Sequence, residues 1–275
     1  FEQFFPAWEG DIKRALGNET CQHDFEEYDT VGYAVISCIL NHFPEFRKAE
    51  LAASSVILGL APALLQQLSP TPADIAVLGL RRPLLAIMLA ASTSAVRPLQ
   101  ASEYGEYLQK LNLKFPSDWE IKKTPRDWVP EILMYLIVCA AVANNAFLAY
   151  QLGIWAVCAW APDTTFLPSI TASSCLFIHF IGYLLLYHLA MRKKRPESQS
   201  NAAKASYVTF HPKQTTYEWV FLIGTTALYL GSIVQVVFST AVFSSLVFLS
   251  VRDSAVVVVR YLASTLVCRG FLFFQ

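Results

Sequence analysis

Apolar residues run along this chain in long uncharged blocks, and charged residues gather between them at 1–50, 97–131 and 192–218. A helix rises 1.5 Å per residue, so a hydrocarbon core of ~30 Å takes about 20 residues to cross. Against that length, 51–68 (LAASSVILGLAPALLQQL) is a marginal first span, uncharged but carrying Pro62. The block 131–161 is longer than a crossing requires, and 166–191 is a second clear span; so few residues separate them that they pack as antiparallel neighbours. A long apolar block follows at 219–251. The last, 254–274, is apolar except for Arg260 and Arg269, and either crosses or lies at the interface. Arg81 and Arg82 interrupt 75–97 and leave PLLAIMLAASTSAV, 83–96, a length that suits a re-entrant dip better than a crossing. Val31–Leu40 is apolar but far too short to span, and reads as an amphipathic helix packed on something.

The pattern predicts an all-α, polytopic transmembrane helix bundle with four to six membrane helices and a short helical N-terminal ectodomain. Its parts are a polar acidic region (1–50), a first span with a re-entrant or second span (51–97), a connector (98–130), an antiparallel pair (131–191), a basic loop (192–216), and a long span followed by a membrane-embedded or interfacial helix (217–275). Composition agrees. The chain is 55% hydrophobic and 15% charged, against about 25% charged in an ordinary soluble domain. It begins at Phe1 and stops at Gln275 within an apolar block, as expected of a piece of a longer chain.

Charge adds a direction. The loop after 191 holds Arg192, Lys193, Lys194, Arg195, Lys204 and Lys213 with Glu197 as its one acid, so the positive-inside rule places it in the cytoplasm. The connector, with Lys110, Lys114, Lys122, Lys123 and Arg126, then falls on the same side. Arg81 and Arg82 join it only if 83–96 dips without crossing, which leaves the N-terminal region outside or lumenal, at the plasma membrane or in the secretory pathway. There Asn18-Glu19-Thr20 is a glycosylation sequon, and Cys21 and Cys38 are candidates for a disulfide. The other four cysteines lie in apolar blocks and read as small hydrophobes. No basic stripe interleaved with aromatics points to nucleic acid. The expected partners are the lipid bilayer and membrane proteins, or a second copy of the chain.

Three blocks carry a resemblance: 48–92, 135–157 (YLIVCAAVANNAFLAYQLGIWAV) and 238–269 (FSTAVFSSLVFLSVRDSAVVVVRYLASTLVCR). In sequence and in order they resemble recurrent blocks of multi-pass membrane proteins of filamentous fungi. No established activity attaches to that family, so the resemblance implies a class and no mechanism.

Polar side chains at membrane depth are costly, and each is a functional hypothesis beside the plainer reading of interhelical glue. Asn144, Asn145 and Gln151 fall mid-span, with Asn144 and Gln151 seven apart on one face. His179 has Cys175 one turn before it and Tyr183 one turn after. Thr225, Tyr229, Ser232 and Ser239 form a stripe with Gln235 near its edge. Asp253 and Arg260 share a face that Ser264 continues; they neutralise each other or partner groups, or form the polar stripe of an interfacial helix. Gly224 and Gly231 share a face and predict a close helix contact. No histidine box, acidic diphosphate-binding repeat, GxSxG elbow, phosphate loop or HExxH occurs, so no metal site and no cofactor is implied. Two readings follow: a non-enzymatic transporter-like, receptor-like or organising component, or an enzyme on a lipid or terpenoid that joins the His179/Tyr183 and Asn144/Gln151 faces.

Overall fold

A computed structural model describes residues 5–17, 31–99, 128–193 and 215–273. Asn18 and Cys21 lie outside them, as do most of the connector and of the basic loop; Cys38 is disulfide-bonded. Nine helices occur among the described residues: α1 Glu9–Leu16, α2 Val31–His42, α3 Glu45–Leu68, α4 Pro72–Arg81, α5 Pro83–Ala91, α6 Trp128–Ile154, α7 Leu167–Lys193, α8 Thr215–Ser244 and α9 Val251–Phe273. Five of them, α3 and α6 to α9, are long and apolar enough to cross a membrane. The protein is an all-α, multi-pass integral membrane protein, and its outward-facing side chains (Leu136, Phe177, Ile223, Val234 and Val259 among them) are those a bilayer solvates.

Each of the five spans packs on two others in the order α3, α8, α7, α6, α9 and back to α3, which closes a ring. The directions follow from the contacts. Ser54 meets Ser254, and Arg269 donates to the carbonyls of Gln67 and Leu68, so α3 and α9 run parallel. Arg269 is therefore no stray charge in an apolar block: its guanidinium satisfies the open carbonyls at the C-terminal end of α3.

Several ends differ from the hydropathy blocks. α6 stops at Ile154, not 161, because Val157 and Cys158 (β1) pair antiparallel with Leu246 and Val247 (β2). That two-residue ladder also divides α8 from α9, where hydropathy alone joins 219 to 251. It clips the two interhelical loops together at one end of the ring. There Trp8, Ile12, Ile36, Ile39 and Phe43 pack against Val157 and Phe248, so α1 and α2 form a cap over the clip. α3 begins at Glu45, inside the charged region, where Arg47–Glu50 and Lys48–Glu45 pairs hold its first turns.

α4 and α5 are too short to cross. Thr71 and Asp74 make a capping box that starts α4, with Pro72 in the first turn. Pro83 then breaks the helix: Arg82 before it lies outside the helical region (φ −141°, ψ 79°), which the proline ring disfavours for the residue that precedes it. α4 lies against α7, where Gly182 leaves room for Pro72 and Gly79 for the Tyr183 ring. α5 packs on both α6 and α7, and the chain returns through 92–99 without helix. The Arg97 N–H donates to the Pro70 carbonyl at 3.2 Å, and Arg82 stands 3.7 Å from Glu131 in the first turns of α6. The excursion thus starts and ends at the end of the ring opposite the cap.

Candidate functional site

The tip of this re-entrant segment is where the chain departs furthest from what a bilayer tolerates. Ser92 to Val96 is non-helical backbone, and all five residues are buried. Irregular backbone at membrane depth persists only where protein or water satisfies its polar groups. Here the partners gather around the end of α5. The Ser92 N–H bonds the Met88 carbonyl, and the Ser92 and Thr93 hydroxyls donate to the carbonyls of Leu89 (2.8 Å) and Ala90 (3.1 Å). Asn145 Nδ2 donates to the Ala91 carbonyl at 2.9 Å and lies 3.4 Å from that of Thr93. Gln235 Nε2 donates to the Ser94 carbonyl at 3.1 Å. Asn145 comes from α6 and Gln235 from α8, spans that are not neighbours in the ring. Each stands nine residues before the end of its helix, at Ile154 and Ser244, so the two amides reach the tip at matching depth.

Three acceptors at the tip stay without a donor among the described residues: Ser94 Oγ, Asn145 Oδ1 and Gln235 Oε1. The amide orientations are set by their neighbours, because turning either amide over would aim oxygen at a carbonyl oxygen. The centre of the ring therefore presents acceptor oxygens on three elements.

Asn144, adjacent in sequence, faces elsewhere. With Gln151 it holds Arg260: Arg260 Nε donates to Asn144 Oδ1 and Nη1 to Gln151 Oε1, each at 2.9 Å. Asn144 Nδ2 returns bonds to the Arg260 carbonyl and to Ser264 Oγ, and the guanidinium rests 5.5 Å from the Phe147 ring centre. Arg260 and Asp253 do not pair. Asp253 accepts from Ser250 Oγ, and its own N–H donates to that oxygen, so the serine side chain caps the start of α9. The side-chain partners of Arg260 are neutral amides. Replacing Arg260 with methionine should destabilise the protein by only about 1 kcal/mol in an unfolding titration in mixed micelles. Two amide oxygens left bare at about 1–3 kcal/mol each oppose relief of an embedded charge, about 2.5–3.5 kcal/mol.

Of the α8 stripe, only Gln235 reaches across the bundle; it also meets Cys175 Sγ (3.3 Å) and Ser239 Oγ (3.1 Å). Thr225 and Ser232 bond carbonyls of their own helix. Gly224 lies tight against Leu185 and Gly231 more loosely against Ile178, both on α7. His179 and Tyr183 line a separate cavity of about 360 Å³ between the re-entrant segment and α7. Ser94 is not a candidate on sequence grounds; its signal is the polar run Ser92-Thr93-Ser94 closing an apolar stretch that opens on Pro83. No family model, curated protein or solved structure matches the chain, so its chemistry is read from these side chains alone.

Proposed function

We propose that this chain is a non-enzymatic, transporter-like membrane protein whose solute-handling centre is the re-entrant tip between α6 and α8. One observation carries the reading: buried, unwound backbone at Ser92–Val96 is held by amides from two spans, while Ser94, Asn145 and Gln235 keep acceptor oxygens free. Broken helices at mid-bundle are how transporters place polar groups in hydrocarbon. Acceptors without donors suit a solute that brings N–H or O–H groups, or a small cation. An enzyme on a lipid or terpenoid would have to bring the His179/Tyr183 face to the Asn144/Gln151 face. Those faces stand apart, and the second is occupied in holding Arg260.

The same reading puts the cap, with Asn18 as a glycosylation acceptor, outside or in the lumen, and the basic loop in the cytoplasm, at the plasma membrane or in the secretory pathway. Lysine and arginine counts in the two loops support it. The three sequence blocks support kinship with the fungal membrane proteins.

Access tests the centre without knowledge of the solute. In sealed vesicles, a Ser94→Cys variant should react with a small membrane-impermeant thiol reagent added on the basic-loop side, well above the parent chain's background. Protection of the introduced thiol from both sides would make the tip a packed structural plug and remove the basis for transport.

A further inference from the structure

Outside the tip, the structure assigns a second site: a bilayer-facing crevice between α5 and α7 that takes a long-chain apolar alcohol, whose hydroxyl bonds His179. The crevice holds about 360 Å³ and is lined by apolar side chains apart from His179 and Tyr183. That volume is at the small end of the about 300–1,000 Å³ usual for ligand sites, enough for one chain and not for a whole phospholipid. Its rim is formed by Ile87, Phe177 and Phe180, which are 59%, 66% and 55% exposed on the flank of a membrane bundle. An occupant therefore arrives from the hydrocarbon and not from water.

His179 says what that occupant carries. It is 1% exposed, it lines the crevice, and neither ring nitrogen has a partner among the described residues. A neutral imidazole offers one N–H and one lone pair, and leaving both bare in hydrocarbon is expensive. A hydroxyl is the smallest group that can answer either one, accepting from the nitrogen that carries the proton or donating to the one that does not. Depth excludes the ordinary lipids. His179 lies twelve residues into α7, about 18 Å from its start, near the middle of a core of ~30 Å. A phospholipid keeps its polar atoms at the headgroup level and cannot bring one there. A single-chain alcohol can sink to that depth once its hydroxyl finds a partner.

The test uses the full chain in lipid nanodiscs and a linear isoprenoid alcohol bearing a diazirine and an alkyne. Labelling should saturate and map to peptides spanning 83–91 and 176–183. The unmodified alcohol should compete about tenfold better than the hydrocarbon of the same skeleton, and His179→Leu should abolish that preference. Ile87→Trp, on the lipid-facing rim, should block labelling even if His179→Leu fails to fold. Equal competition by alcohol and hydrocarbon would overturn the assignment. So would label spread evenly over lipid-facing residues of all spans, or undiminished labelling of Ile87→Trp. Because the readout is binding at the crevice, it stands or falls apart from Ser94→Cys access at the tip.

Discussion

Replacing Asn145 with leucine should destabilise the protein by about 2–3 kcal/mol, read as a shift in the unfolding midpoint in mixed detergent micelles. Leucine and asparagine are close in size, so little of the effect is cavity. What is lost is the donor to the Ala91 carbonyl, with its weaker contact to that of Thr93. A buried carbonyl left bare costs about 1–3 kcal/mol. In membranes the figure is held down because the unfolded reference also finds partners. Here the end of α5 and the following turn both come loose, which places the total in the upper part of that range. Asn144→Leu, one position away, should leave the tip intact and loosen Arg260 instead. Each can be combined with Ser94→Cys to read the tip directly. Equal effects of the two leucine variants on the reactivity of that thiol would refute the division of labour between these adjacent amides.

Gly153→Ala should cost about as much, about 2–3 kcal/mol, although it only adds a methyl group. A Cβ at 153 would collide with the Thr165 carbonyl, a backbone atom in the loop that enters α7. That loop cannot simply retreat, since the β1–β2 ladder and the cap hold it. Overpacking at a site that cannot relax costs about 1–3 kcal/mol. Gly224→Ala is the comparison: its Cβ would meet Leu185 methyl groups, the far end of a flexible side chain, and should cost under about 1 kcal/mol. Thermal unfolding of both variants against the parent checks the order. If Gly224→Ala proved the more damaging, the tight contact would lie between α7 and α8, as the glycine spacing alone suggests.

Four of the five spanning helices show in the hydropathy, the first of them marginally, because bilayer length is a simple constraint and nothing in an aqueous surface would hide such blocks. The fifth, α9, is ambiguous in sequence only through Arg260 and Arg269. Their partners are carbonyls of α3 and amides of α6, which lie far away along the chain. Helix ends are less legible. The ladder at 157–158 and 246–247 is two residues long and leaves no periodic trace. The capping box Thr71–Asp74 and the Ser250 cap on Asp253 share the legible form S/T-x-x-D, yet Asp253 reads more readily as a charge seeking Arg260. Among the candidate polar residues, the shared face of Asn144 and Gln151 follows from helical spacing. The opposite duties of Asn144 and Asn145 do not, because they depend on which neighbour each face meets. The tip is hidden for the same reason: Ser92–Val96 acquires its meaning from amides on two other helices.

At the centre of the architecture is a ring of five crossing helices entered by a segment that does not cross. Three separate variants, Arg81→Cys, Arg97→Cys and Thr164→Cys, labelled in sealed, oriented vesicles with an impermeant thiol reagent, test that most directly. The thiols introduced at 81 and 97 should react from one face, the one that also exposes the 192–216 loop to protease, and the thiol at 164 from the other. Reaction at 81 and 97 from opposite faces would make the segment between them a true span and contradict the architecture.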